Sequence, residues 1–124
     1  MFTCLDFGNR AYSSWSLRSW LPFKVAAAAA GTAAAEVLVD LEGAGRAYGA
    51  HNCSPTGKVP ALTVAASAPG KPDLTVWDSL AINEYLAELV PAAKLWPTDR
   101  AARAVARSAA AEMHSGFGAL RTHM

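Results

Sequence analysis

Short apolar and β-branched runs alternate along the chain with longer stretches of helical character. Residues 2–6, FTCLD, alternate loosely and run into Gly8-Asn9, the pattern of a strand ending in a turn. Residues 36–41, EVLVDL, are apolar and β-branched with glycines nearby on both sides, which predicts a second strand. VPALTV predicts a third strand beginning at Val59, and LTVW a fourth, joined to it through SAPGKPD as an antiparallel hairpin. A first helix is expected over 15–30, between the hydroxyls of Ser13 and Ser14 and the stop at Gly31. Pro22 falls inside it, removes one backbone hydrogen bond and predicts a kink, while the alanines favour helix strongly enough to carry it on. DSLAINEYLAELVP predicts an amphipathic helix that starts at Asp78 or Ser79, uses Leu80, Ile82, Leu86 and Leu89 as its apolar positions and stops before Pro91. After the linker LWPTD, a last helix capped by Thr98 or Asp99 is expected to run to the C-terminus.

Two strands joined through a helix form a parallel pair by a right-handed crossover, and a hairpin plus a helix completes a four-stranded mixed sheet covered by helices. The expected fold class is therefore α/β, in the βαβ–ββα order of the thioredoxin-like fold. The stretch GAGRAYGAHNCSPTG, rich in small and turn-forming residues, is expected to be irregular. The last helix lies beyond this unit. It places Val105, Met113, Phe117 and Leu120 among many alanines, an apolar face that needs a covering partner and otherwise favours association.

Composition narrows the classes of function. The chain has 124 residues, enough for one domain or one domain and a piece of another. It is 52% hydrophobic and 17% charged with a formal net charge of +1, a globular balance that argues against a nucleic-acid partner. VAAAAAGTAAA is too short and too weakly apolar for a membrane span, and the start lacks the basic and apolar regions of a signal peptide, so a soluble cytoplasmic protein is expected. Cys4 and Cys53 form neither a CxxC pair nor a metal cluster. His114, His123 and Glu112 lack the i, i+4 spacing that sets two ligands on one helix face, so no metal is expected. The lone GFG gives no nucleotide signal, His51 reads as a loop histidine, and Arg100, Arg103 and Arg107 read as a solvated stripe or subunit contact.

Three short motifs carry the chemistry. SSWSLR puts serines at the start of the first helix, where free N–H groups and the helix dipole favour an anion; the same serines also suit plain N-capping. SPTGKVPAL leads into the third strand, and WDSLAINEYL opens the second helix with a hydroxyl at another helix N-terminus. Together with LWP ahead of a long helix, these motifs, in this order and at these separations, resemble the N-terminal half of a cytosolic glutathione transferase. The serine corner is similar to the zeta- and theta-like classes, where the zeta pattern is SSCSWR; Trp15 stands where that pattern has cysteine.

The resemblance implies a function and a set of site residues. Ser13 would activate the glutathione thiol, with Ser14 beside it as support. Val59-Pro60 would be a cis peptide whose exposed Val59 backbone pairs with the cysteinyl residue of glutathione, and Lys58 would meet the glycyl carboxylate. Ser79 would receive the γ-glutamyl carboxylate while Asp78 faces the ammonium. Glutathione would be the co-substrate, attacking a small electrophile, in a protein that is homodimeric in its full architecture. Residues 1–92 would form the glutathione-binding domain, and 93–124 a linker and the first helix of a truncated all-α C-terminal domain. Two other readings stand beside a transferase: a glutathione-binding or protein-interaction module without turnover, and an isomerase of the maleylacetoacetate type. A glutaredoxin-like reductant is disfavoured because the first helix starts without a cysteine.

Overall fold

The computed structural model describes residues 2–8, 13–33, 35–39 and 54–122. Its elements are β1 (Phe2–Phe7), α1 (Ser14–Ala30), β2 (Ala35–Leu38), β3 (Ala61–Val64), β4 (Leu74–Trp77), α2 (Ser79–Leu89), a 3-10 turn (Pro91–Ala93), α3 (Arg100–Ser115) and α4 (Gly118–Thr122). The four strands form one mixed sheet in the order β2-β1-β3-β4, in which β1 pairs parallel with β2 and antiparallel with β3, and β3 pairs antiparallel with β4. This is the expected thioredoxin-like arrangement. Leu5 of β1 and Leu62 of β3 meet Phe23 and Ala26 of α1 and Ile82 and Leu86 of α2 in one core, each 0% exposed.

Local chemistry explains where α1 begins and ends. Ser13 is its N-cap, with a hydroxyl that accepts from the Ser16 N–H, and Gly31 closes it at φ 62°, a left-handed conformation that glycine adopts without a Cβ penalty. The buried positions Ser16, Ser19, Phe23, Ala26 and Ala27 recur at helical spacing and form a single face. The first two turns of that face are therefore polar, and a buried hydroxyl must find a partner. Gly8 N–H donates to Ser16 Oγ at 2.9 Å, and Ser19 Oγ donates to the Ser79 carbonyl at 3.2 Å.

The helix runs through Pro22, which has no N–H to give the carbonyl of Arg18 four residues earlier. Asn83 of α2 takes the vacant role: its Nδ2 donates to the Arg18 carbonyl at 3.2 Å. Asn83→Ala is expected to cost about 1 kcal/mol, measured by denaturant titration. Pro22→Ala in the same chain should recover part of that loss, because it restores the intrahelical donor.

Three expectations are corrected. β3 begins at Ala61 rather than Val59, because Pro60 carries no N–H for the ladder and the pairing with β1 opens at Asp6 and Ala61. The last helix does not run unbroken: α3 stops at Ser115 and α4 follows. Gly116 donates to the Glu112 carbonyl at 2.8 Å, a Cβ at this position would lie 2.8 Å from that oxygen, and Phe117 turns the chain at φ 59°. Leu89, placed among the apolar positions of α2, is 37% exposed, whereas Ile82 and Leu86 are fully buried. β2 is described over Ala35–Leu38, with Val39 still donating to the Phe7 carbonyl at 2.8 Å, and residues 40 and 41 of the expected strand lie outside the described residues. So do Asn9, most of the irregular stretch with His51 and Cys53, and His123.

Candidate functional site

The starts of two helices and the turn into β3 converge on one side of the fold. A cleft of about 460 Å³ is lined by Trp15 at the first turn of α1, Lys58, Val59 and Pro60 ahead of β3, and Asp78 and Ser79 at the start of α2. Five of the seven residues singled out from the sequence thus share a wall. Ser13 and Ser14 stand next in sequence to its Trp15 end and do not line it. Thr56 and Trp77 also line the cleft, and neither was singled out from the sequence; Trp77 ends a strand and Thr56 sits in a turn, positions with no local chemical signature.

At the serine corner the hydroxyls are connected in series. Gly8 N–H donates to Ser16 Oγ, Ser13 Oγ and Ser16 Oγ lie 3.0 Å apart, and the Ser16 N–H reaches Ser13 Oγ at 3.3 Å. Ser16 is 0% exposed, so its hydroxyl cannot exchange these partners for water. Ser13 therefore caps the helix, and the Ser14 hydroxyl makes no hydrogen bond with a described residue. Ser16 is part of the site, and the alternation of serine and tryptophan in SSWS is its signal: three residues after Ser13, it faces back under the cap.

The turn into β3 presents main chain. Val59-Pro60 is cis, and Val59 makes no main-chain hydrogen bond with a described residue. Lys58 is exposed and its ammonium pairs with no described carboxylate, while its N–H leans on Thr56 Oγ1 at 3.4 Å and Thr56 in turn meets Ser54 Oγ at 3.0 Å. At the other end Asp78 caps α2, its Oδ1 accepting from Leu80 N–H at 2.9 Å and Ala81 N–H at 3.4 Å. Its backbone sits at φ 74°, an uncommon conformation for a residue with a side chain and one that costs about 1–3 kcal/mol. Ser79 is 2% exposed, and its own N–H and hydroxyl remain without a partner among the described residues. Among the described residues, one end of the cleft thus carries an unpaired cation, the middle an unpaired backbone, and the far end a carboxylate beside unspent donors.

Trp15 joins α1 to the end of the chain. Its ring meets His114 edge-on at 5.0 Å, and the guanidinium carbons of Arg18 and Arg121 lie 4.4 and 5.1 Å from its centroid. His114 Nε2 also approaches Asp78 Oδ2 at 3.3 Å. Burial, and after it the Arg121 charge, hold the Arg18 guanidinium below its ordinary pKa. The arginine stripe of α3 is not simply solvated: Arg107 pairs in bidentate fashion with Glu84 at 2.9 and 3.2 Å, and Arg103 donates to the Pro97 and Thr98 carbonyls at 3.0 and 2.9 Å. Among the described residues no group of His, Cys, Asp or Glu could hold a metal ion, and no helix is long and apolar enough to cross a membrane.

Residues 12–89 match the family model described as glutathione S-transferase, N-terminal domain. Among solved structures, maleylacetoacetate isomerase from Anaeromyxobacter dehalogenans, with glutathione bound in its active site, is 30% identical at a TM-score of 0.64, covering 93% of this chain and 50% of that one. A glutathione transferase homologue from Burkholderia with bound glutathione is 28% identical at a TM-score of 0.64, covering 92% and 55%. Glutathione transferase Omega 2C from Trametes versicolor, 22% identical at a TM-score of 0.68 over 94% of this chain and 50% of that one, shares the fold. The chain spans about half the length of these proteins. No curated protein matches it significantly.

Proposed function

Because the chain belongs to the glutathione S-transferase family, we propose that it binds glutathione along the cleft and holds the thiol as a thiolate for attack on a small electrophile. The observation that carries this reading is the Val59 backbone, unpaired among the described residues, flanked by the Lys58 ammonium, which pairs with no described carboxylate, and by the donors of Ser79. An extended peptide with a carboxylate at either end and an ammonium at one of them matches that sequence of groups. Val59 pairs with its cysteinyl residue, Lys58 meets the glycyl carboxylate, the Ser79 hydroxyl and N–H take the γ-glutamyl carboxylate, and Asp78 takes the ammonium. The glutathione in the Anaeromyxobacter and Burkholderia structures supports the assignment.

The sulfur then falls at the start of α1. A free thiol of pKa ~8.5 is only about 3% ionised at pH 7, and a drop of about two units, worth about 2.7 kcal/mol, makes thiolate the major form. One charge-assisted hydrogen bond of about 1.5–3 kcal/mol and the helix N-terminus, about 0.3–1, supply that amount. Ser13 gives the bond by turning its proton from Ser16 Oγ to the sulfur, and keeps its cap because the Ser16 N–H uses only a lone pair of its oxygen. Ser16, whose hydroxyl accepts from Gly8 N–H and whose own N–H reaches Ser13 Oγ, holds the Ser13 oxygen at this corner. Ser14, whose hydroxyl has no partner among the described residues, flanks the same point.

In this reading residues 1–92 form the glutathione-binding domain and 93–124 the linker and opening of a helical domain, and the protein works in the cytoplasm, as a homodimer where the full family architecture is present. A second reading is a glutathione-binding module without turnover, since every assigned binding residue lies within the family match over residues 12–89. An isomerase of the maleylacetoacetate type is the weaker alternative: a solved relative carries that activity, and Trp15 departs from the zeta pattern. Retention on immobilised glutathione together with conjugation of a chloronitrobenzene separates the first two, and failure of retention overturns both. Asp78→Asn keeps the cap, because Asn caps as well as Asp, but removes the charge. It is expected to weaken glutathione binding about tenfold, measured by calorimetry, with thermal stability little changed.

A further inference from the structure

Two guanidiniums, Arg18 and Arg121, pack on the same indole ring, and among the described residues no carboxylate pairs with either. Arg18 Nη1 is buried and, among the described residues, has no hydrogen-bond partner, and no described acidic residue pairs with the Arg18 side chain. Arg121 Nη1 reaches only the Met113 carbonyl, at 3.4 Å. The carboxylate near this group, Asp78, is engaged by His114 at 3.3 Å and by the cap of α2. Two like charges brought together beside a buried, unspent donor cost free energy that an anion between them would return. Arg18 is held below its ordinary pKa, first by burial and then by Arg121, in keeping with a cation that lacks a counter-charge.

The position is as specific as the charge. Ser14 and Arg18 are i, i+4 neighbours on one face of α1, about 5–6 Å apart at their Cβ atoms. Arg18 also lines a second groove, of about 330 Å³, walled by Leu17, Leu21 and Met113 and sharing Ser79 with the main cleft. An apolar body in that groove would present a substituent to the guanidiniums one helical turn from the sulfur.

We infer that Arg18 and Arg121, on Trp15, form an anion subsite that selects a second substrate with an apolar body and a carboxylate about one helical turn from the carbon the sulfur attacks. This rests on the assignment of the thiol to the serine corner, and the test separates the two. S-benzylglutathione and S-(4-carboxybenzyl)glutathione differ only in the para carboxylate. By titration calorimetry at low salt, the carboxylated conjugate is expected to bind on the order of tenfold more tightly, and Arg18→Gln and Arg121→Gln are each expected to bring the ratio of the two affinities toward one. Equal binding of the two conjugates, or a preference that persists in both variants, overturns the anion subsite and leaves the glutathione site standing. Binding of neither conjugate overturns the glutathione site, and the subsite with it.

Discussion

Replacing Ser13 by alanine is expected to lower the rate of glutathione conjugation at pH 7 by about threefold to twenty-fivefold, with a much smaller effect at pH 9. The loss of one charge-assisted hydrogen bond of about 1.5–3 kcal/mol raises the bound thiol pKa by about one to two units. A thiol ionised by its protein at pH 7 then needs a higher pH to reach the same fraction of thiolate, so the deficit should close as the solution takes over the deprotonation. Ultraviolet absorbance of the bound thiolate against pH measures this directly, and an unchanged titration would remove Ser13 from the proposed role. The variant also loses an N-cap worth about 1 kcal/mol. A matched loss of stability without a shift in the titration would mean that Ser13 is a cap and nothing more. Ser14→Ala, which removes no hydrogen bond to a described residue, serves as the comparison.

Phe23→Ala is expected to carry the largest cost in stability, about 3–5 kcal/mol against a total of about 5–15 for an ordinary domain. Phe23 is fully buried and stands where α1 meets Leu5 and Leu62 of the sheet, with α2 packed alongside. The neighbouring positions on that face, Ala26 and Ala27, are too small to close over the cavity. A denaturant titration should show a large fall in the midpoint with an unchanged slope. A loss below about 1 kcal/mol would mean that α1 is anchored by its polar contacts rather than by this ring.

The features legible in the sequence are those written in a few adjacent residues. The bounds of α1 follow from a serine cap and a glycine stop, each a local stereochemical requirement, and the hairpin of β3 and β4 follows from turn residues between two apolar runs. The start of β3 was misplaced because apolar patterning alone admits Val59 and Pro60, whereas the ladder needs an N–H that proline lacks. The break at Gly116 was read through because alanine propensity dominates that segment, although two glycines around Phe117 lower it sharply. Of the site, Lys58, Val59, Pro60, Asp78 and Ser79 were legible because each belongs to a short motif. The grouping of Trp15, Arg18, His114 and Arg121 was not, since it joins residues roughly a hundred positions apart in sequence through tertiary packing. Ser16 was passed over among neighbouring serines, although its spacing of three from the capping Ser13 places it back under the cap, where it is fully buried.

The bonds that tie α1 to α2 have a consequence for the cleft between their first turns. Ser19 Oγ holds the Ser79 carbonyl and Asn83 holds the Arg18 carbonyl, both side chain to main chain and each at 3.2 Å. Main-chain acceptors do not change rotamer, so the two helices are joined at fixed points near the ends that face the cleft. The span from the serine corner to Asp78-Ser79 is then a gauge built into the scaffold rather than a gap that closes around its occupant. A peptide that bridges the two corners is measured for length before any side chain is read.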